Sequence, residues 1–201
     1  MKSVFSNMIF AICLVTIGGL AQAAGSGVPE PFQAFDADSK YTINYDDLSG
    51  VLKTVVVDVG RSTREVAAPS KAKTGTRMKA SVKRSTLNEA NRFYFETFKG
   101  NDEAKQLLIN IQKSLEQLPT EVSLEYFSRD EQLAYWLNLY NVTVLNQVIK
   151  EYPIRSLKKI ARGKKSFFDK KLLNVAGVSL SLNDIQFNIL RHNYDNNPLV
   201  I

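Results

Sequence analysis

Residues 128–145 read SRDEQLAYWLNLYNVTVL. Ser128 followed three residues later by Glu131 is the S-x-x-E capping box, which fixes a helix start. From there the spacing predicts one helix to about Lys150, just before Tyr152-Pro153. At 100° per residue, Leu133, Leu137, Tyr140, Val144 and Val148 form an apolar stripe. Leu139 and Val142 fall well off that stripe, so protein covers more than one face and the helix is central and buried. Yet Asn138 and Asn141 sit inside this frame, on a strip that also holds Glu131. An unpaired buried amide costs about 1–3 kcal/mol. The strip is therefore either an internal hydrogen-bond network or the floor of a ligand pocket, and Glu131, Asn138 and Asn141 are the candidate ligand-binding residues.

Working outward, Asp102 to Leu118 places Leu107, Leu108, Ile111, Leu115 and Leu118 at helical spacing, with Pro119 beyond the end. Asn88 to Phe98 predicts a shorter helix stopped by Gly100. Tyr45 to Val51 reads as one short helix. Lys53 to Val59 reads as a strand or a buried helix end, which periodicity alone does not separate. On the C-terminal side, LLNVAGVSLSL (172–182) alternates around Ala176-Gly177, a hairpin signal. Ser181 with Asp184 is a second capping box, opening a helix from Leu182 to Arg191 that turns Ile185, Ile189 and Leu190 inward. The fold class is α+β, predominantly helical, around a buried helix at 129–150 with short strands.

The chain begins MKSVFSNMIFAICLVTIGGLAQAAGSG. Lys2, an apolar run from Met8 to Leu20 and Ala21-Gln22-Ala23 form a secretory signal-peptide pattern over 1–23, with cleavage after Ala23. The run is too short and Gly-interrupted for a good membrane span, which takes about 20 apolar residues; a retained N-terminal anchor is the alternative. The expected location is periplasmic or secreted, with no transmembrane span after cleavage. The one cysteine, Cys13, lies in that leader, so the mature protein has no thiol for a disulfide, a nucleophile or a metal. Residues 24–85 read as a linker and a basic N-terminal arm, and 86–201 as the helical core of one domain.

Charge is concentrated in two segments. Residues 61–92 hold nine Lys/Arg against two Glu, and residues 155–171 hold eight against Asp169. They are either solvated loops or contacts for an anionic envelope component or partner protein. Nucleic acid is not expected for an exported chain. One histidine (His192), no mature cysteine and scattered acids make no metal-ligand cluster. Residues 36–47, DADSKYTINYDD, lack the Gly and the terminal Glu of a calcium loop. No metal and no cofactor are expected.

Three motifs carry a resemblance. They are EQLAYWLNLYN (131–141), YPIRS (152–156) and GVSLSLNDI followed by ILR (177–191). Glu131, Gln132, Ala134, Trp136, Asn138, Tyr140 and Asn141 match the first; Tyr152, Pro153 and Ser156 the second; Gly177, Leu180, Ser181, Leu182, Asp184, Ile185, Ile189, Leu190 and Arg191 the third. Over roughly 120–198 the chain resembles the bacterial family called domain of unknown function 547. Where that family usually has Glu-His after the third motif's Asp-Ile, this chain has Gln186 and Phe187. The family usually continues into a strand with a His and soon a Cys, which the resemblance makes the place of a papain- or transglutaminase-like site. This chain reaches Ile201 where that strand would begin, so the resemblance implies a member truncated at its C-terminal strands. Two functions remain open: a non-catalytic binding or interaction domain, or an incomplete copy of a thiol hydrolase with its Cys and His beyond residue 201. The leader is testable directly: mass spectrometry of the protein from a periplasmic fraction is expected to show Ala24 as the first residue.

Overall fold

The computed structural model describes residues 27–60, 91–154, 156–163 and 166–194. The leader, the basic segment up to residue 90 and residues 195–201 lie outside them. The architecture is helical with two small antiparallel sheets. Helix α1 (Asp46–Val55) runs into strand β1 (Val56–Val57). Strand β2 (Arg92–Phe93) pairs with β1, Val56 opposite Phe93. Helices α2 (Asp102–Glu121) and α3 (Arg129–Glu151) pack against each other as the body of the fold. A short α4 (Lys158–Ala161) precedes the hairpin of β3 (Leu173–Val175) and β4 (Val178–Leu180). A π-helix (Asp184–Leu190) and a last turn, α5 (Arg191–Asn193), complete the described chain.

The Ser181/Asp184 capping box forms in full and the Ser128/Glu131 one in half, the Glu131 carboxylate taking the Ile43 N–H instead of that of Ser128. The Glu131 N–H donates to Ser128 Oγ at 3.2 Å. Around the other, Ser181 N–H donates to Asp184 Oδ2 at 2.6 Å, and Asp184 N–H returns to Ser181 Oγ at 3.1 Å. The hairpin forms too, with Leu173 opposite Leu180. Its two turn residues, Ala176 and Gly177, both have positive φ (48° and 79°), the geometry that matches strand twist in a two-residue hairpin. Leu173, Val175 and Leu180 point into the core while Asn174 is exposed.

Three expectations need correction. Residues 91–98 are not helical: Arg92–Phe93 is strand and Phe95–Phe98 a single 3₁₀ turn. Aromatic packing wins there over helical spacing, since Phe93 stacks on Phe98 (5.7 Å) and Phe95 on Tyr152 (5.8 Å). Residues 86–90 lie outside the described chain. Second, α2 does not stop before Pro119 but carries it, buried, in its last turns. Proline has no N–H for the carbonyl four residues back, Leu115. That carbonyl instead accepts the buried Tyr135 hydroxyl from α3 at 2.9 Å. Third, the span read as a linker enters the core. Val28, Phe32, Ile43, Leu48 and Val55 are all buried in it. Phe32 meets the fully buried Trp136 edge-on at 4.9 Å. The strand-or-helix ambiguity at 53–59 resolves as both, helix to Val55 and then β1.

Helix α3 is wrapped as expected: Tyr135, Trp136, Leu139 and Val142 are fully buried. What holds its start in place is Gln132, also buried. Its Nε2 reaches the carbonyls of Leu124 (2.6 Å), Ala34 (2.9 Å) and Phe127 (3.3 Å). Glu131 beside it accepts the Ile43 N–H at 2.8 Å. Two adjacent side chains thus anchor the N-terminal segment and the α2–α3 connector to one helix. Replacing Gln132 by Leu strips donors from these carbonyls, and is expected to cost about 2 kcal/mol in urea unfolding.

Candidate functional site

The strip predicted from α3 divides in the structure. Glu131 and Asn138 come together, with the Tyr45 hydroxyl between them and the α1 entry. Asn141 does not join them: it is exposed. One helical turn separates Asn138 from Asn141, but three residues rotate the side chain by about 300°. That is enough here to carry Asn141 past the edge of the covering segment. The Glu131 carboxylate is engaged with backbone through the Ile43 N–H.

The network is incomplete at Tyr45. Its hydroxyl is buried beside Glu131 and Asn138, yet completes no well-formed hydrogen bond. Burial, and then the Glu131 charge, raise its pKa above that of an ordinary tyrosine, with the Asn138 amide pulling the other way. Tyr135 is raised in the same direction by burial, then by Glu116 and Tyr45. Burial pushes Tyr194 up to about 12, Arg129 opposing and Asp130 adding to the shift.

The solvent-facing hollows lie elsewhere. The roomiest described, of about 600 Å³, is an open groove beside the middle of α3. Tyr140 forms one wall, Arg162, Ser166 and Phe168 another, and Asn183, Gln186 and Phe187 the third. The Tyr140 hydroxyl faces Gln186 Oε1 at a long 3.5 Å, and burial raises its pKa. Asn183 donates to Asp169 at 2.5 Å, which ties the π-helix to the far rim. The helix start beneath is firm: Asp184 holds Ser181 and Lys171, and against the burial that would raise it, these partners keep its carboxyl below its usual range. A π-helix turns less per residue than an α-helix, and here it puts the consecutive Gln186 and Phe187 on the same groove wall. Such segments occur frequently at functional sites. Phe187 is 46% exposed at the rim, with the Arg191 guanidinium 5.4 Å from its ring centre.

An apolar hollow of about 470 Å³ lies between residues 41–44 and the end of α2, lined by Tyr41, Ile43, Leu118 and Val122. A small polar one, of about 220 Å³, opens at the first turn of α3 around Arg129 and His192. Among the described residues no group of three His, Cys, Asp or Glu is placed to hold a metal ion, and no helix is long and apolar enough to cross a membrane.

Residues 124–200 match the model of the family described as Protein of unknown function, DUF547. That match agrees with the three motifs and covers the C-terminal part of the chain. No curated protein and no solved structure matches the chain. Several of the matching residues now have physical roles. Glu131 and Gln132 hold backbone, Trp136 fills the core, and Ser181 and Asp184 cap a helix. The groove residues Arg162, Gln186 and Phe187 lay outside the sequence candidates. Arg162 was marked only as part of the basic segment 155–171, and Gln186 and Phe187 only as positions where the resemblance leads one to expect Glu-His.

The buried Tyr45 hydroxyl gives a test with a definite sign. The unfolded chain ionises its tyrosines near pH 10, while the folded protein keeps Tyr45 neutral to higher pH. Stability is therefore complete below about pH 10 and falls as pH rises beyond it. Tyr45→Phe removes an unpaired buried group. It is expected to gain about 1 kcal/mol in urea unfolding at about pH 8, and to lose less stability than the parent at about pH 11.

Proposed function

We propose that this chain is a non-catalytic binding domain of an exported protein, and that its ligand site is the groove between Tyr140, Arg162 and the π-helix. The observation that carries the reading is the π-helical placement of Gln186 and Phe187 on one wall of an open, half-polar groove. Its complement is mixed. Tyr140, Asn183 and Gln186 offer hydroxyl and amide groups, Phe168 and Phe187 offer rings, and Arg162 offers a guanidinium suited to carboxylate or phosphate. Lys158 and Lys159 lie on α4, one turn from Arg162. This fits an anionic envelope component bearing hydroxyl or amide groups. The basic segment 155–171 would supply the long-range attraction, and 61–92 would add to it, though its structure up to residue 90 lies outside the described residues. The signal-peptide pattern supports export and hence this class of ligand.

Sedimentation of the purified protein with lipopolysaccharide, with anionic phospholipid vesicles and with zwitterionic vesicles tests the reading. Retention by an anionic surface is expected at about 0.1 M salt and release at about 1 M, where the screening length drops from about 10 Å to about 3 Å. Arg162→Ala and Phe187→Ala change exposed or rim positions and are expected to fold normally, yet each to weaken binding by about tenfold. Binding that survives both substitutions would move the site away from the groove.

A further inference from the structure

The small cavity at the first turn of α3 is built differently from the groove, and its chemistry is more selective. The Arg129 guanidinium is held between two rings, 5.9 Å from the centre of Phe35 and 5.3 Å from that of Tyr194. It donates one hydrogen bond to the Asn193 carbonyl, and the Tyr194 hydroxyl donates to the Arg129 carbonyl at 3.0 Å. The guanidinium is thus fixed in place while part of its donor edge remains for a ligand. Among the described residues no carboxylate forms a salt bridge with it. His192 lines the same cavity and adds a ring nitrogen.

The other polar groups there are acceptors. Gln132 spends its amide nitrogen on three backbone carbonyls, and Gln33 spends its own on the Val28 carbonyl at 2.6 Å. Because every one of those partners is an acceptor, each amide can be oriented only one way. The atoms left over are the two amide oxygens, and neither receives a hydrogen bond from the described residues. Gln33, Gln132 and Arg129 all line this one cavity. A simple anion would gain Arg129 but face two acceptor dipoles; a simple cation would gain the amides but face a guanidinium. A ligand that carries both charges one carbon apart satisfies both. At about 220 Å³ the cavity is below the roughly 300–1,000 Å³ of pockets for drug-sized ligands, which confines it to a single small unit.

We propose that this cavity binds a free α-amino acid as its zwitterion, the carboxylate on Arg129 and His192, the ammonium on the amide oxygens of Gln33 and Gln132. The ligand's side chain would lie against Phe35 and Tyr194. The site is independent of the groove and of what the groove binds.

Isothermal titration of the full-length purified protein with L-alanine, L-serine, acetate, methylammonium and inorganic phosphate decides it. Both amino acids are expected to bind at least about tenfold more tightly than acetate, methylammonium or phosphate, since each one-ended probe forgoes hydrogen bonds to a charged group. Arg129→Gln is expected to abolish amino-acid binding. Gln33→Leu, at an exposed position that leaves Gln132 and its carbonyls in place, is expected to weaken it about tenfold, with an unfolding midpoint lowered only by the loss of the one bond to the Val28 carbonyl. Phe187→Ala in the groove is expected to leave it unchanged. Acetate or phosphate binding as tightly as the amino acids would make this an anion site only and overturn the proposal. So would the absence of amino-acid binding, or its full retention in Gln33→Leu.

Discussion

The side-chain amide of Gln132 organises the surroundings of the central helix. A helix buried on most of its circumference must be covered by something, and here much of the cover is irregular chain: residues 27–45 and the α2–α3 connector. Irregular backbone next to a core brings carbonyls and N–H groups that no neighbouring strand satisfies. Gln132 meets three of those carbonyls and Glu131 meets one of those N–H groups. Their partners lie up to 98 residues away in sequence. Without this pair the segments over α3 would still have apolar residues to bury, Phe32 and Ile43 among them, but fewer bonds to fix their register, chiefly Asp36 N–H to the Phe127 carbonyl and Ser39 Oγ to that of Tyr126.

The α2–α3 interface rests on a second exchange of the same kind. Pro119 leaves a carbonyl unserved inside a helix, and Tyr135 serves it from the helix opposite. Asn146 adds a further contact to α2, donating to the Leu108 carbonyl and to the Gln112 side chain. Gln132 and Tyr135 thus report where the neighbouring backbone is irregular or interrupted. Where no partner arrives the cost is visible: the Tyr45 hydroxyl and the Trp136 ring nitrogen are buried without one. Trp136 keeps its place through burial and ring contacts with Phe32 and Tyr135, a body of packing worth about 3–5 kcal/mol against Ala.

Local chemistry was legible in the sequence and long-range partnership was not. Ser128/Glu131, Ser181/Asp184 and Ala176-Gly177 act through groups a few residues apart, so spacing alone predicts them, and the structure has the last two in full and the first in half. The helix expected from Asn88 fails because Phe93 and Phe95 find partners in β1 and in Tyr152, contacts no local window contains. The helix expected to end before Pro119 continues because its missing hydrogen bond is supplied from another helix. The candidate site shows the same division. Glu131 and Asn138 are drawn together around Tyr45, as a shared strip on α3 suggests. Asn141 is left outside, exposed on α3. Gln132, the most constrained polar group on the helix, carries no mark in periodicity, since its partners are all backbone.

That division also explains where the open chemistry of α3 is found. Of the polar residues on the covered length, Glu131 and Asn146 are engaged with backbone or α2, and Gln132 spends its amide nitrogen on backbone and keeps only its oxygen. Tyr140 sits where the cover passes from irregular chain to the π-helix, and Arg129 where the helix emerges beneath Tyr194. At both places the helix meets late parts of the chain, residues 162–187 in one case and 192–194 in the other. A buried helix satisfies its own surroundings along its length and can present functional groups only at such margins. At each margin a group of α3 stands beside groups from the segments that border it: Tyr140 beside Arg162, Gln186 and Phe187, and Arg129 beside Gln33 and His192.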